Sequence, residues 1–139
     1  MTRGQARFMH VASVLVGATG VALFILKDLV VVEGDFGPES HPLEADALHG
    51  HILTAPALIF AAALVWQDHI WARIKSGFRV RRRTGILLGS LLFPMVLSGY
   101  LLQVSYEEPW RELWHQIHLA TSFVWLLAYG VHQLSSRGT

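Results

Sequence analysis

Long apolar runs alternate with short polar segments along this chain. The runs predict helical spans over about residues 8–31, 46–71, 85–104 and 112–134, and roughly 20 apolar residues suffice to cross a bilayer core. Only a helix satisfies its own backbone hydrogen bonds in lipid without pairing to other strands. Because most connections are short, consecutive helices are expected to be antiparallel neighbours. The pattern predicts an all-α fold: a four-helix transmembrane bundle, formed as a single integral membrane domain over residues 1–139.

The longest connection, Glu33–Leu48, carries turn-forming residues. Gly34, Gly37 and Pro38 favour turns, and the sequence Ser40-His41-Pro42 predicts a helix start with proline in the first turn. The connection is thus expected to lead through turns into the second helix.

Charge divides the polar segments into two sets. The basic set comprises Arg3, Arg7, Arg73, Lys75, Arg79, Arg81, Arg82, Arg83 and Arg137. The acidic set comprises Glu33, Asp35, Glu39, Glu44, Asp46, Glu107, Glu108 and Glu112. Basic segments face the cytoplasm in membrane proteins, so the chain is expected to have both termini inside, in a bacterial inner membrane.

Composition narrows the function classes. The chain is 53% hydrophobic and 15% charged, which favours lipid as the main solvent over water. Its formal charge of +1 argues against nucleic acid as a partner. It has no cysteine, which excludes disulfides, iron–sulfur ligation and thioether-linked haem.

Eight histidines carry the functional argument, because ionisable residues within spans usually mark function. His118 and His132 are 14 positions apart, which places them on nearly the same helix face and about 21 Å apart. His51 and His69 are 18 positions apart and share a face about 27 Å apart. The second and fourth spans run in the same direction, so this spacing predicts two histidine pairs, one above the other. Bis-imidazole ligation of a porphyrin iron needs such pairs.

The pattern resembles the di-haem membrane cytochromes b, both the four-helix subunits of formate dehydrogenases and hydrogenases and the haem-bearing half of the quinol–cytochrome c reductase cytochrome b. Their shared feature is a helix with two histidines 14 apart, which His118 and His132 match. The reductase type implies the pairs His51 with His118 and His69 with His132, although its second helix spaces its ligands 14 apart. The formate dehydrogenase type implies that His10, and not His69, pairs with His132. Of the two we favour His69.

The remaining histidines are secondary candidates. His49 and His115 are reserve ligands or hydrogen-bond neighbours of the ligands. A weak internal repeat supports two related hairpins, since Thr19-Gly20 precedes one histidine-rich span and Ser98-Gly99 precedes the other.

The resemblance implies an electron-transfer protein with two haem b groups, or one if the second site does not form. It implies exchange of electrons with quinone, within a larger assembly of redox subunits. An extracytoplasmic electron carrier is a candidate partner for the acidic face. The alternatives are a haem-free transporter or assembly factor with a histidine metal or proton site, and an enzyme that itself reduces quinone.

Reporter fusions test the predicted topology. Fusions after Arg79 and at the C-terminus are expected to behave as cytoplasmic, and a fusion near Gly37 as external. An external position for the Arg81–Arg83 segment would overturn the pairing of span ends on which the histidine assignment depends.

Overall fold

The computed structural model describes residues 1–77 and 81–135, so Arg79 and Arg137 of the basic set lie outside the described residues. The chain is all-α apart from one short β-ribbon. The elements are α1 (Arg3–Phe24), a π-helical turn (Ile25–Leu29), β1 (Val32–Gly34), β2 (Gly37–Glu39), α2 (Glu44–Val65), a second π-helical turn (Trp66–Trp71), α3 (Ala72–Lys75), α4 (Arg82–Val104) and α5 (Glu108–Leu134).

A capping box starts α1. The Thr2 hydroxyl accepts a hydrogen bond from the Gln5 backbone N–H at 3.2 Å, and the Gln5 side-chain oxygen accepts one from the Thr2 N–H at 2.7 Å. This reciprocal pair satisfies two backbone donors that have no partner within the helix. The helix therefore begins at Arg3, before the apolar pattern that predicted a start near residue 8.

The connection between α1 and α2 contains a β-ribbon that the sequence analysis did not predict. Val32–Gly34 pairs antiparallel with Gly37–Glu39, and Gly37 has a φ of 118°, which favours glycine. The expected helix start at Ser40-His41-Pro42 is replaced by a turn. There the His41 Nδ1 accepts the Leu43 N–H at 3.1 Å, and α2 begins at Glu44.

Three helical segments are long and apolar enough to cross a membrane: Arg3–Leu29, Glu44–Lys75 and Arg82–Val104. They correspond to the first three predicted spans. α5 is 27 residues long but is not among these segments within the described part of the chain. The all-α prediction is confirmed, whereas the fourth span and the orientation stay predictions.

The chain forms two compact units, Met1–Asp68 and His69–Thr139, and the single membrane domain stays a prediction. In the first unit α1 packs against α2, and we call this pair the first hairpin. Its buried residues are mostly small, among them Ala12, Ala61 and Ala62. Small side chains let two helices approach closely, as they do in membranes.

In the second unit α4 packs against α5, forming the second hairpin. Its core combines Met95 and Ser98 of α4 with Trp125 and Ala128 of α5. The buried Ser98 hydroxyl donates to the Pro94 carbonyl at 2.6 Å, which offsets the cost of removing it from water. Trp125 stacks on Tyr129 with ring centres 5.1 Å apart. The helix face with His118 and His132 is therefore closely packed between them.

Candidate functional site

Three of the predicted ligand histidines lie against the neighbouring helix of their own hairpin, each opposite a hydroxyl residue followed by glycine. We call each such arrangement a niche and name it after its histidine. Niche 51 lies in the first hairpin, and niches 118 and 132 lie in the second.

Niche 51 joins α2 to α1. The His51 Nδ1 lies 3.2 Å from the Thr19 hydroxyl, which donates to the Leu15 carbonyl at 2.9 Å. A hydroxyl has one proton to donate and two lone pairs to accept with, so Thr19 accepts the His51 Nδ1–H. The hydroxyl of Thr54 lies 3.1 Å from that of Thr19. Gly20 gives the ring its space, since a Cβ there would lie 2.9 Å from the His51 Cε1.

Niche 118 joins α5 to α4 near the turn between them. The His118 Nδ1 lies 2.9 Å from the Met95 carbonyl oxygen. Because a carbonyl only accepts hydrogen bonds, this nitrogen carries the proton. The Ser98 hydroxyl is a more distant neighbour at 3.5 Å. A Cβ on Gly99 would lie 3.0 Å from the His118 Cε1, so glycine is needed here too.

Niche 132 lies at the opposite end of the second hairpin. The His132 Nδ1 lies 2.8 Å from the Thr84 hydroxyl, and Gly85 faces the ring with room for a Cβ at 3.5 Å from Cε1. The Arg81 guanidinium donates to the His132 backbone carbonyl at 2.6 Å. This end of α5 is thus bound to the start of α4 through a side chain and through the backbone.

The niches follow a common spacing. His118 and His132 are 14 residues apart on α5, and the facing pairs Ser98-Gly99 and Thr84-Gly85 are also 14 apart on α4. The sequence analysis noted the hydroxyl-glycine pairs of niches 51 and 118 but missed Thr84. The signal was available, because hydroxyl-glycine dipeptides at 19–20, 84–85 and 98–99 each match one histidine.

The first hairpin has no second niche. Val65 stands 14 residues beyond His51 and is buried, and Gln5-Ala6 stand 14 residues before Thr19-Gly20. Here the Gln5 amide donates to the Leu64 carbonyl at 3.3 Å. The two helices are therefore linked directly where a second histidine would be expected.

His69 and His10 differ from the niche histidines. His69 lies in the π-helical turn Trp66–Trp71, half-buried, in the same compact unit as His132. It is within electrostatic range of His132, and also of Arg73 and Arg81. His10 lies on α1 with its side chain exposed.

The reserve candidates occupy the beginnings of their helices. His49 is exposed near the start of α2. The His115 Nδ1 lies 4.0 Å from a Glu112 carboxylate oxygen one turn earlier on α5. His51 and His118 belong to different units, and so do His10 and His132, so both pairings stay predictions.

The niches can present imidazoles of defined orientation. An imidazole that binds a metal through one nitrogen usually donates its other N–H to the protein, which fixes the ring and its tautomer. In the niches Nδ1 is the nitrogen held by the protein, so Nε2 is the atom for a metal. Within residues 1–77 and 81–135, three or more histidine, aspartate or glutamate side chains do not gather into one metal-binding group.

Comparison of the chain with models of known protein families, with curated proteins and with solved structures gives no match.

Replacing the niche glycines with alanine tests the packing. Gly20→Ala and Gly99→Ala are expected to displace His51 and His118 and to lower the free energy of unfolding by about 1–3 kcal/mol, as overpacking does. Gly85→Ala is expected to have a smaller effect, since its Cβ would make ordinary contact. Thermal unfolding of the detergent-solubilised protein, followed by circular dichroism, measures the difference.

Gly89→Ala is the matched control, because a Cβ there meets nothing within 4 Å. Alanine favours helix over glycine by about 1 kcal/mol, so this variant should unfold at the same temperature or a higher one. Equal behaviour of Gly20→Ala and Gly89→Ala would contradict the tight contact in niche 51.

Proposed function

We propose that this chain is a b-type cytochrome that moves electrons across a membrane through haem groups held between histidines. The observation that carries the proposal is the shared construction of the three niches. Each holds an imidazole by Nδ1 and sets a glycine against its ring, which suits Nε2 to iron ligation. When bound, haem supplies a reversible one-electron couple at its iron, tuned by its axial ligands and their hydrogen bonds.

The donor chemistry fits haem b. Neutral imidazole is a ligand for iron, and the absence of cysteine leaves non-covalent haem as the form that this chain would hold. The residues proposed to bind two haems are His51 with His118, and His132 with His69. His10 is the alternative to His69. Electrostatic range between His69 and His132, within one compact unit, favours His69.

We propose that α5 is the fourth span of a bundle with both termini in the cytoplasm, in a bacterial inner membrane. Its charged residues are concentrated in the first turns, at Glu108, Arg111 and Glu112. Further along, His118 and His132 make hydrogen bonds to α4. A polar residue held inside a helix pair costs less in lipid than one facing the acyl chains, so α5 suits a membrane despite its composition.

We propose quinone as a partner in electron exchange and other redox subunits as the host assembly. The described chain consists almost wholly of helices and short connections. Its own residues therefore bind and orient the redox group, while donor and acceptor chemistry belongs to partners.

A pyridine haemochrome assay on the purified full-length protein tests the proposal. Expressed with ample haem, the protein is expected to contain two non-covalent haem b groups per chain. The reduced-minus-oxidised spectrum should show low-spin haem, because two imidazoles occupy the axial positions. Protein that folds but lacks a Soret band would refute the cytochrome and favour the haem-free transporter or assembly factor.

Substitution of single histidines tests the ligand assignment. His118→Ala is expected to remove the low-spin signal of one haem and His132→Ala that of the other, because each leaves the iron with one axial imidazole. His69→Ala should match His132→Ala, and His10→Ala should keep both signals. His41→Ala is the control, since His41 lies in the connection before α2 and caps a turn.

The opposite result for His10 and His69 would transfer the second site to His10. If neither variant alters the low-spin signal, the second site is absent and a protein with one haem is the better account.

A further inference from the structure

Niche 132 differs from the other niches in that an arginine side chain is part of it. Thr84 and Arg81 stand at the start of α4, and His132 lies in the last turn of α5. Three hydrogen bonds connect these residues in sequence, and their donors and acceptors can be assigned from chemistry alone.

The Thr84 hydroxyl has one proton, and it donates this proton to the Arg81 carbonyl at 3.0 Å. Its lone pairs remain to accept a hydrogen bond. The contact of 2.8 Å with the His132 Nδ1 is therefore an N–H donated by the imidazole to the hydroxyl. This assignment fixes the tautomer of His132 with its proton on Nδ1.

Arg81 completes the unit from the other side. Its guanidinium donates to the His132 backbone carbonyl at 2.6 Å, so the same residue that accepts from Thr84 also holds the backbone of the histidine. The chain of contacts runs from imidazole to hydroxyl to the Arg81 carbonyl, and from the Arg81 side chain back to His132. The ring closes on one residue at each end.

The backbone of Arg81 supports a specific role for this residue. Its φ is 56° and its ψ is 17°, in the left-handed region that residues other than glycine seldom adopt. Gly77, four residues earlier, has a similar φ of 64° in the turn after α3. Glycine would suit the conformation at position 81 better, but glycine has no side chain to reach the carbonyl of His132.

We propose that Thr84 and Arg81 are positioning residues that fix His132 in its Nδ1–H tautomer and hold its ring so that Nε2 is the ligand atom. The role toward haem rests on the proposed function. The hydrogen-bond unit itself does not, because it is present within this chain alone. Niche 118 needs no such unit, since the Met95 carbonyl accepts directly from His118.

Nitrogen NMR of the haem-free, histidine-labelled protein tests the unit without the cofactor. His132 is expected to show the Nδ1–H tautomer in the wild type and a mixture of both tautomers in Thr84→Val, which keeps the shape of threonine but removes the hydroxyl. Thr84→Ser should restore the single tautomer. An Nε2–H tautomer in the wild type would overturn the proposal.

Haem-loaded full-length protein tests the role toward the ligand. Loss of such an outer partner weakens metal binding by about 10–100-fold, so Thr84→Val should lose one of the two haems that much more readily on dilution with apomyoglobin. The remaining low-spin signal of that haem in electron paramagnetic resonance should shift. Thr84→Ser should behave as the wild type.

Thr121→Val is the matched control, since the Thr121 hydroxyl bonds only to carbonyls of its own helix. Arg81→Ala should reproduce the effect of Thr84→Val, and Arg82→Ala, its exposed neighbour, should not. Equal retention of both haems in Thr84→Val and Thr121→Val would overturn the positioning role. A wild-type protein that shows the expected tautomer but takes up no haem would refute the proposed function and leave the hydrogen-bond unit standing.

Discussion

The contact on which the whole arrangement depends is that of an imidazole with a glycine of the adjacent antiparallel helix. In niches 51 and 118 the ring approaches so closely that a Cβ would lie 2.9–3.0 Å from Cε1. The helices can be this close because the other residues between them are small, such as Ala12 and Ala61. The closeness in turn places backbone carbonyls and hydroxyls of one helix within hydrogen-bond distance of Nδ1 on the other.

Polar groups in these helices are satisfied internally, as a lipid environment requires. Thr19, Thr84 and Ser98 each donate their one proton to a carbonyl of their own helix or its first turn. A hydroxyl used in this way keeps its lone pairs for an incoming N–H. Serine or threonine before glycine therefore acts as an acceptor at a place where the backbone is accessible, and histidine is the side chain that supplies the donor.

Much of this could be predicted from the sequence, and the failures have physical reasons. The helices follow from apolar runs, and the spacing of His118 and His132 follows from helix geometry. Thr84 was missed because a hydroxyl next to glycine gains its meaning only when two helices are placed in register. The β-ribbon was missed because pairing between Val32 and Glu39 depends on chain reversal rather than on an alternating pattern.

The unequal hairpins account for the unusual spacing in α2. A second niche in the first hairpin would need histidine at position 65, but buried Val65 and the Gln5–Leu64 hydrogen bond close the helices there. His69 stands four residues later, about one turn further along, in a π-helical turn. Such turns are frequent at functional sites because they rotate the side chains that follow. The spacing of 18 in place of 14 is thus what remains when the inner position is used for packing and the histidine is displaced by one turn.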